Sequence, residues 1–236
     1  MSQNNQGNDG VQNTQSNPGI SNSQNQMNNQ GSQKITFLPK HGHYRNLRVY
    51  QVTEIIYDIT FYFTEHYLRK GDRTIDQMVQ AARSGKQNIA EGNQAAPTSS
   101  ETEIKLTNVA KASLEELLKD YEDYLRVRKL QQWDEQHPRF EKMRQYARSE
   151  RIMKEYTELI EKLNDEEIAN LSITLIHQAI YMLYKLLETM QNRFVTEGGI
   201  KELMHQSRVS YRNGQYQQNF QNTTISQNNY KSPPQQ

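Results

Sequence analysis

The sequence predicts an all-α fold, an antiparallel up-down four-helix bundle with a helical insertion between the third and fourth helices and disordered polar tails. Three observations lead to this prediction. Four segments repeat apolar residues at three- and four-residue spacing, no segment of any length alternates with the period of a strand, and the links between the first three helices are short.

The two ends of the chain differ in composition from its body. Of residues 1–33, 26 are Gln, Asn, Ser or Gly, and Lys, Arg and Glu are absent. Residues 213–236 have a similar character. Such segments bury too little apolar surface to offset the entropy lost on ordering, so both are predicted to be disordered. The bundle is assigned to 34–198, and a basic suffix segment to 199–212.

The first helix follows a basic lead-in over 34–48, which contains no acidic residue. From about Leu47 the apolar residues recur at helical spacing, as in a stripe that faces a core. The members of this stripe are Val52, Ile55, Ile56, Ile59, Tyr62, Phe63 and Tyr67. Gly71 and Asp72 end the helix, since glycine is common where a helix terminates.

The second helix is expected to begin at a capping box over 74–77 and to stop at Gly92. Its buried side is formed by Ile75, Met78, Val79, Ala82 and Ile89. One flank carries only small residues, namely Ala81, Ala82, Ser84 and Gly85. A glycine inside a helix costs about 1 kcal/mol relative to alanine. Gly85 therefore indicates either close helix packing, the favoured reading, or a backbone approach to a ligand or phosphate.

The third helix restarts after Pro97, with Thr98 and Glu101 as the cap pair, and runs to about Leu130. Its apolar seam comprises Leu106, Val109, Ala110, Leu114, Leu117, Leu118, Tyr121, Tyr124 and Leu125. Residues 131–163 are dense in charge and poor in large apolar residues, so they are interpreted as a solvent-facing helical insertion.

The fourth helix is expected to be capped at Asn164 and to end at Gly198 and Gly199. It carries the longest apolar stripe of the chain, formed by Ile168, Leu171, Leu175, Ile176, Ala179, Met182, Leu183, Leu186, Leu187 and Met190. Together with the first three helices, this stripe completes the predicted core.

Catalytic and metal-binding patterns are missing from the sequence. The chain has no Cys, no G-x-S-x-G, no phosphate-binding glycine loop and no dinucleotide fingerprint. His41 and His43 lack further ligands at metal spacing. His177 does not follow a Glu by three positions, and Glu202 with His205 forms only one Glu-x-x-His pair, whereas a di-metal site in a bundle needs two. The sequence therefore predicts no enzyme, no cofactor and no metal site. Without an apolar signal core or a membrane span, a soluble cytoplasmic protein is expected.

Positive charge is concentrated locally, because the net charge of the whole chain is only +1. The second and third helices and the lead-in could place cations on one surface, where they would meet phosphates. The candidate nucleic-acid-binding residues are Arg83, Lys86, Lys105, Lys111, Lys40, Arg45 and Arg48.

Two segments form an uncommon combined motif, AARSGKQNIAEG at 81–92 and TEIKLTNVAKASLEELLKDYEDYL at 102–125. They resemble the four-helix-bundle family of proteins encoded in intervening sequences of large-subunit ribosomal RNA genes, which includes the accessory variability determinant of diversity-generating retroelements. The matching positions are Ser84, Asn88–Gly92, Thr98–Ser100, Ala110, Ser113, Leu114, Glu116 and Leu117. FLPKHGHYRNL at 37–47 and EGGIKE at 197–202 resemble its four helix bundle suffix domain branch.

The resemblance implies a barrel-like homopentamer with a basic surface. It also implies binding of nucleic acid, RNA or an RNA/DNA intermediate, in partnership with a reverse transcriptase. Carried over to this chain, Arg83 and Lys86 become the first candidates for nucleic-acid contact, and Asn88 and Glu91 for holding the helix end. The alternative is a protein-interaction module that scaffolds a neighbouring enzyme, such as a restriction or retroelement component. The small-residue flank and the insertion would then be docking surfaces.

Overall fold

The computed structural model describes residues 43–229, with side chains described as far as Gln215. Within this part the chain is helical and has no strand. A short 3-10 helix at Tyr44–Asn46 precedes α1 (Arg48–Tyr67), α2 (Arg73–Ala95), α3 (Ser100–Arg128), α4 (Phe140–Arg148), α5 (Ile152–Ile160), α6 (Asp165–Glu197) and α7 (Ile200–Asn229). The all-α prediction is confirmed for the described residues, and the predicted tail 1–33 lies outside them.

Helices α1, α2, α3 and α6 share one core, because α1 and α3 each pack against both α2 and α6. Phe63 of α1 is fully buried in this core and packs against two tyrosines. Its ring centroid is 5.1 Å from that of Tyr121 and 4.7 Å from that of Tyr124, both on α3. The Tyr121 hydroxyl donates to Thr60 Oγ1 at 3.1 Å, so the buried phenol is hydrogen-bonded.

Two polar contacts show that α3 and α6 run in opposite directions. Near the end of α3, the Tyr124 hydroxyl donates to Asp165 Oδ2 at the start of α6, at 2.9 Å. Near the start of α3, the buried Glu103 forms an ion pair with Arg193 close to the end of α6.

Gly85 explains the small-residue flank of α2. A Cβ atom built at this position would lie 2.7 Å from Leu114 Cδ2 and 3.0 Å from Leu114 Cγ. A hydrogen bond between the neighbouring hydroxyls of Ser84 and Ser113, whose Oγ atoms are 2.9 Å apart, also joins α2 to α3. Gly85 therefore serves close packing of α2 on α3 and is not exposed for ligand approach. Ala81 and Ser84 of the same flank line an open groove between the two helices.

The helix ends agree with the predictions in part. Asn164 caps α6, and Glu167 completes a capping box as expected. Asp72 caps α2 instead of Thr74, and Ser99 caps α3 instead of Thr98. Helix α2 also continues past Gly92, because Gly92 packs against the start of α3 and has no left-handed conformation.

Residues 131–163 differ from the expected solvent-facing insertion. They contain two short helices, α4 and α5, with α4 packed on α6 and α5 on α1. Their buried side chains are Trp133, Ala147, Ile152 and Ile160. Trp133 is fixed twice on α6, since its backbone N–H donates to Asn170 Oδ1 at 2.7 Å and its indole N–H to Glu166 Oε1 at 3.1 Å.

Helix α7 extends over Ile200–Asn229, so it covers the suffix segment 199–212 and continues through 213–229. The structure differs here from the predicted disordered tail. The absence of a proline in this range permits a helix, although its Asn, Thr and Gly residues do not favour one. Between 43 and 229, no helix is both long and apolar enough to span a bilayer.

Candidate nucleic-acid interface

A groove of about 420 Å³ lies where α2 meets α1 and the 3-10 helix. Arg83 and Lys86 line it together, because residues three apart on a helix project from the same side. The Lys86 ammonium nitrogen lies 4.3 Å from the ring centroid of Tyr57, close enough for a cation–π contact. Within the described residues, neither cation has a carboxylate within 4.0 Å. Both charges remain available to a ligand.

Tyrosines form the opposite wall of this groove, which we call the tyrosine groove. Tyr44, Tyr50 and Tyr57 line it, and the rings of Tyr44 and Tyr50 meet edge to face at 4.8 Å. Burial, followed by the nearby Glu54, raises the pKa of Tyr50 to about 12. Its hydroxyl therefore stays protonated well above neutral pH. Arg45 does not line the groove, but its Cζ lies 5.7 Å from the centroid of the Tyr44 ring.

Asn88 and Glu91 occupy different positions relative to this groove. The Asn88 amide nitrogen donates to Ser84 O at 2.9 Å and to Ser84 Oγ at 3.1 Å, which links it to the contact between α2 and α3. Glu91 lines the tyrosine groove and is exposed. One carboxylate thus lies among the cations and lowers the local positive charge.

Arg48 is engaged elsewhere. Its guanidinium forms an ion pair with Glu150 at 3.1 Å, and a second nitrogen donates to Ser149 O at 3.4 Å. The surrounding groove of about 550 Å³ is also lined by Glu54, Asp58 and Lys86, so Lys86 lies between this groove and the tyrosine groove. Arg48 therefore joins α1 to the turn before α5, and it lies among carboxylates that would repel a phosphate.

Lys105 and Lys111 do not line the tyrosine groove, whose walls come from the 3-10 helix, α1 and α2. Lys105 is exposed on α3, and Lys111 forms an ion pair with Glu115 at 3.3 Å. Lys40 lies outside the described residues. From the predicted set the structure therefore places Arg83 and Lys86 in one groove. Arg45 contacts the Tyr44 ring without lining the groove, and the two α3 lysines lie elsewhere.

The three tyrosines were missed by the sequence reasoning. The available signal was the seven-residue spacing of Tyr50 and Tyr57, which places both on one flank of α1 beside its apolar stripe. No cluster of three or more His, Cys, Asp or Glu residues that could hold a metal ion occurs in the described part of the chain. No protein-family model, curated protein or solved structure matches the chain.

Proposed function

We propose that this chain is a non-catalytic, oligomeric accessory protein that binds nucleic acid, RNA or an RNA/DNA intermediate, through the tyrosine groove. One observation carries the proposal. Arg83 and Lys86 line one groove with the half-buried rings of Tyr44 and Tyr57, and neither cation has an ion pair among the described residues. Cations that neutralise phosphates, next to rings on which bases stack, are the combination that single-stranded nucleic acids require.

The finer fold and the family are part of the same proposal. The pairing of α1, α2, α3 and α6 fits an antiparallel up-down four-helix bundle, with 131–163 as its helical insertion. The motifs at 81–92 and 102–125 support membership of the intervening-sequence and retroelement family. On this proposal the protein is a homopentamer and partners a reverse transcriptase.

The direct test is the double variant Arg83→Gln with Lys86→Gln. We expect its affinity for single-stranded RNA to fall by about ten- to a hundredfold, since each lost charge removes one phosphate contact. The salt dependence of binding should also become shallower by about one to two units in the slope of log K against log salt. Filter binding across a salt series measures both quantities.

The matched control is Arg126→Gln with Lys119→Gln, which also removes two exposed charges but lies outside the tyrosine groove. It should keep the affinity within about twofold of wild type. Equal affinity and equal salt slope for the groove variant and for wild type would exclude the proposed interface.

A second candidate, a protein-docking module, is favoured by a different groove of about 920 Å³ between α2 and α3. Phe61 is 45% exposed at its edge, and Asp76, Glu116 and Asp120 surround it. Burial, then Asp123 and Glu116, raises the pKa of Asp120 above its ordinary value. An apolar surface ringed by mutually repelling carboxylates suits a basic amphipathic helix of a partner enzyme.

This docking function predicts selective binding of a synthetic Lys/Leu amphipathic helix over its Glu/Leu counterpart, measured by anisotropy of the labelled peptide. Phe61→Ala should weaken that binding by about tenfold, because it removes an exposed aromatic anchor. Val127→Ala removes another exposed apolar side chain, away from the groove, and should have no effect. Equal binding of both peptides would count against docking at this site.

A further inference from the structure

A groove of about 700 Å³ lies between α4 and α6, beside the segment that joins α3 to α4. This α4–α6 groove is separate from the tyrosine groove, with which it shares no residue. Its volume falls in the range typical of sites for small molecules. Its apolar floor includes Ile173 and Met182, and its walls combine aromatic rings, cations and amides.

The charge of the α4–α6 groove is positive. Arg144 and Arg148 line it one turn apart on the same face of α4, His177 lies opposite them, and no Asp or Glu belongs to the lining. Arg144 has one ion pair, with Glu141 at 3.5 Å, and both side chains are exposed. Such a surface pair contributes less than about 1 kcal/mol, so it leaves the guanidinium open to a stronger anion.

The neighbouring carboxylates already have partners. Glu166 accepts the indole N–H of Trp133, and Glu167 forms an ion pair with Arg139. They hold the Trp133 segment on α6 and do not enter the groove lining. Two arginines at one edge can therefore form bidentate hydrogen bonds to the oxygens of a phosphate.

The aromatic and amide groups indicate what the phosphate would be attached to. Tyr181 is 63% exposed and lines the groove together with Phe140 and Trp133. An exposed phenol ring offers a flat surface on which a base can stack. The Gln178 side chain also lines the groove, and its Oε1 has no hydrogen-bond partner among the described residues. Rotation of this amide would allow it to pair with the edge of a base.

From these contacts we infer that the α4–α6 groove binds a nucleoside phosphate, with the phosphate on Arg144 and Arg148 and the base against Tyr181. An acidic peptide could also contact the arginines, so the poly-glutamate titration below distinguishes it from a nucleotide. The ligand could be a free nucleotide or one unit of a single strand, and these share the same recognition chemistry. This site is additional to the proposed function and does not depend on it.

The chain contains a single tryptophan, Trp133, and it lines this groove. Its fluorescence therefore reports on the α4–α6 groove and not on the tyrosine groove. The full chain is titrated separately with AMP, a short single-stranded RNA oligonucleotide, adenosine, inorganic phosphate and a poly-glutamate peptide. We expect a saturable change with AMP or with the oligonucleotide, and a weaker response to adenosine or phosphate alone.

A response to AMP as strong as to RNA identifies a free nucleotide as the source, and a response to RNA alone identifies a strand. Arg144→Gln with Arg148→Gln should weaken either response by about tenfold or more. Arg126→Gln with Arg151→Gln, which removes two exposed arginines elsewhere, should leave it unchanged. The double variant of Arg83 and Lys86 should also respond like wild type, which separates this site from the tyrosine groove.

Three outcomes would overturn the inference. The first is no fluorescence change with either nucleotide ligand, and the second is the same affinity in the Arg144 and Arg148 variant as in wild type. The third is a response to poly-glutamate that matches or exceeds the response to nucleotides. Circular dichroism of each variant establishes that it is folded before its titration is interpreted.

Discussion

Leu114→Ala is expected to lower the free energy of unfolding by about 2–5 kcal/mol. Leu114 is fully buried on α3, and its side chain fills the space beside Gly85 of α2. Truncation loses the transfer free energy of the removed atoms and leaves a cavity that the surrounding helices cannot fully close. Urea unfolding followed by circular dichroism measures the loss.

The partner variant Gly85→Ala makes this test specific to the close contact. In wild type the added methyl would overlap Leu114, at a cost of about 1–3 kcal/mol that opposes the gain of about 1 kcal/mol in helix propensity. In the Leu114→Ala background the clash is gone, so Gly85→Ala should become stabilising. The same effect of Gly85→Ala in both backgrounds would show that the two residues do not touch.

The second large effect is a loss of stability at alkaline pH. Burial raises the pKa of Tyr121 from 10.0 to about 12. Below pH 10 the phenol is protonated in both states, and between pH 10 and 12 the unfolded chain releases a proton that the folded chain retains. Stability therefore falls as pH rises through this window, by about 1.4 kcal/mol per unit or roughly 3 kcal/mol in total.

Tyr121→Phe is the control for this pH dependence. It removes the hydrogen bond to Thr60 and should cost about 1 kcal/mol at neutral pH. Between pH 10 and 12 the variant should lose less stability than wild type, although burial also raises the pKa values of Tyr124 and Tyr156. Urea unfolding at a series of pH values gives both slopes. If the free energy of unfolding falls equally steeply with pH in wild type and in Tyr121→Phe, the pKa of Tyr121 is the same in the folded and unfolded states, and the prediction is wrong.

Hydrophobic periodicity predicted the helices well wherever the buried residues are also large. Phe63 and Leu183 lie in the core as their spacing indicates. Val109 was placed in the seam of α3, but it is 40% exposed. The buried position that the seam missed nearby is Ser113, whose hydroxyl lies 2.9 Å from that of Ser84 on α2. A pattern read from apolarity alone cannot detect this exchange.

The candidate site was predictable only where its residues are neighbours in sequence. Arg83 and Lys86 lie three apart on one helix, so their common side follows from helix geometry. Tyr57 reaches Lys86 through the packing of α1 on α2, which the sequence does not specify. The same holds for Glu150, which engages Arg48 from 102 positions further along the chain.

Helices α1, α2 and α3 follow one another with only 68–72 and 96–99 between them, whereas α6 begins after the long segment 129–164. Since closing a longer loop costs more entropy, the first three helices should pair early and α6 should dock last. Synthesis from the N-terminus delivers the helices in the same order. Until α6 emerges from the ribosome, α1 and α3, which carry Phe63 and Tyr121, lack the helix that packs against both of them in the folded protein. This interval is when the nascent chain is most prone to aggregate or to recruit a chaperone.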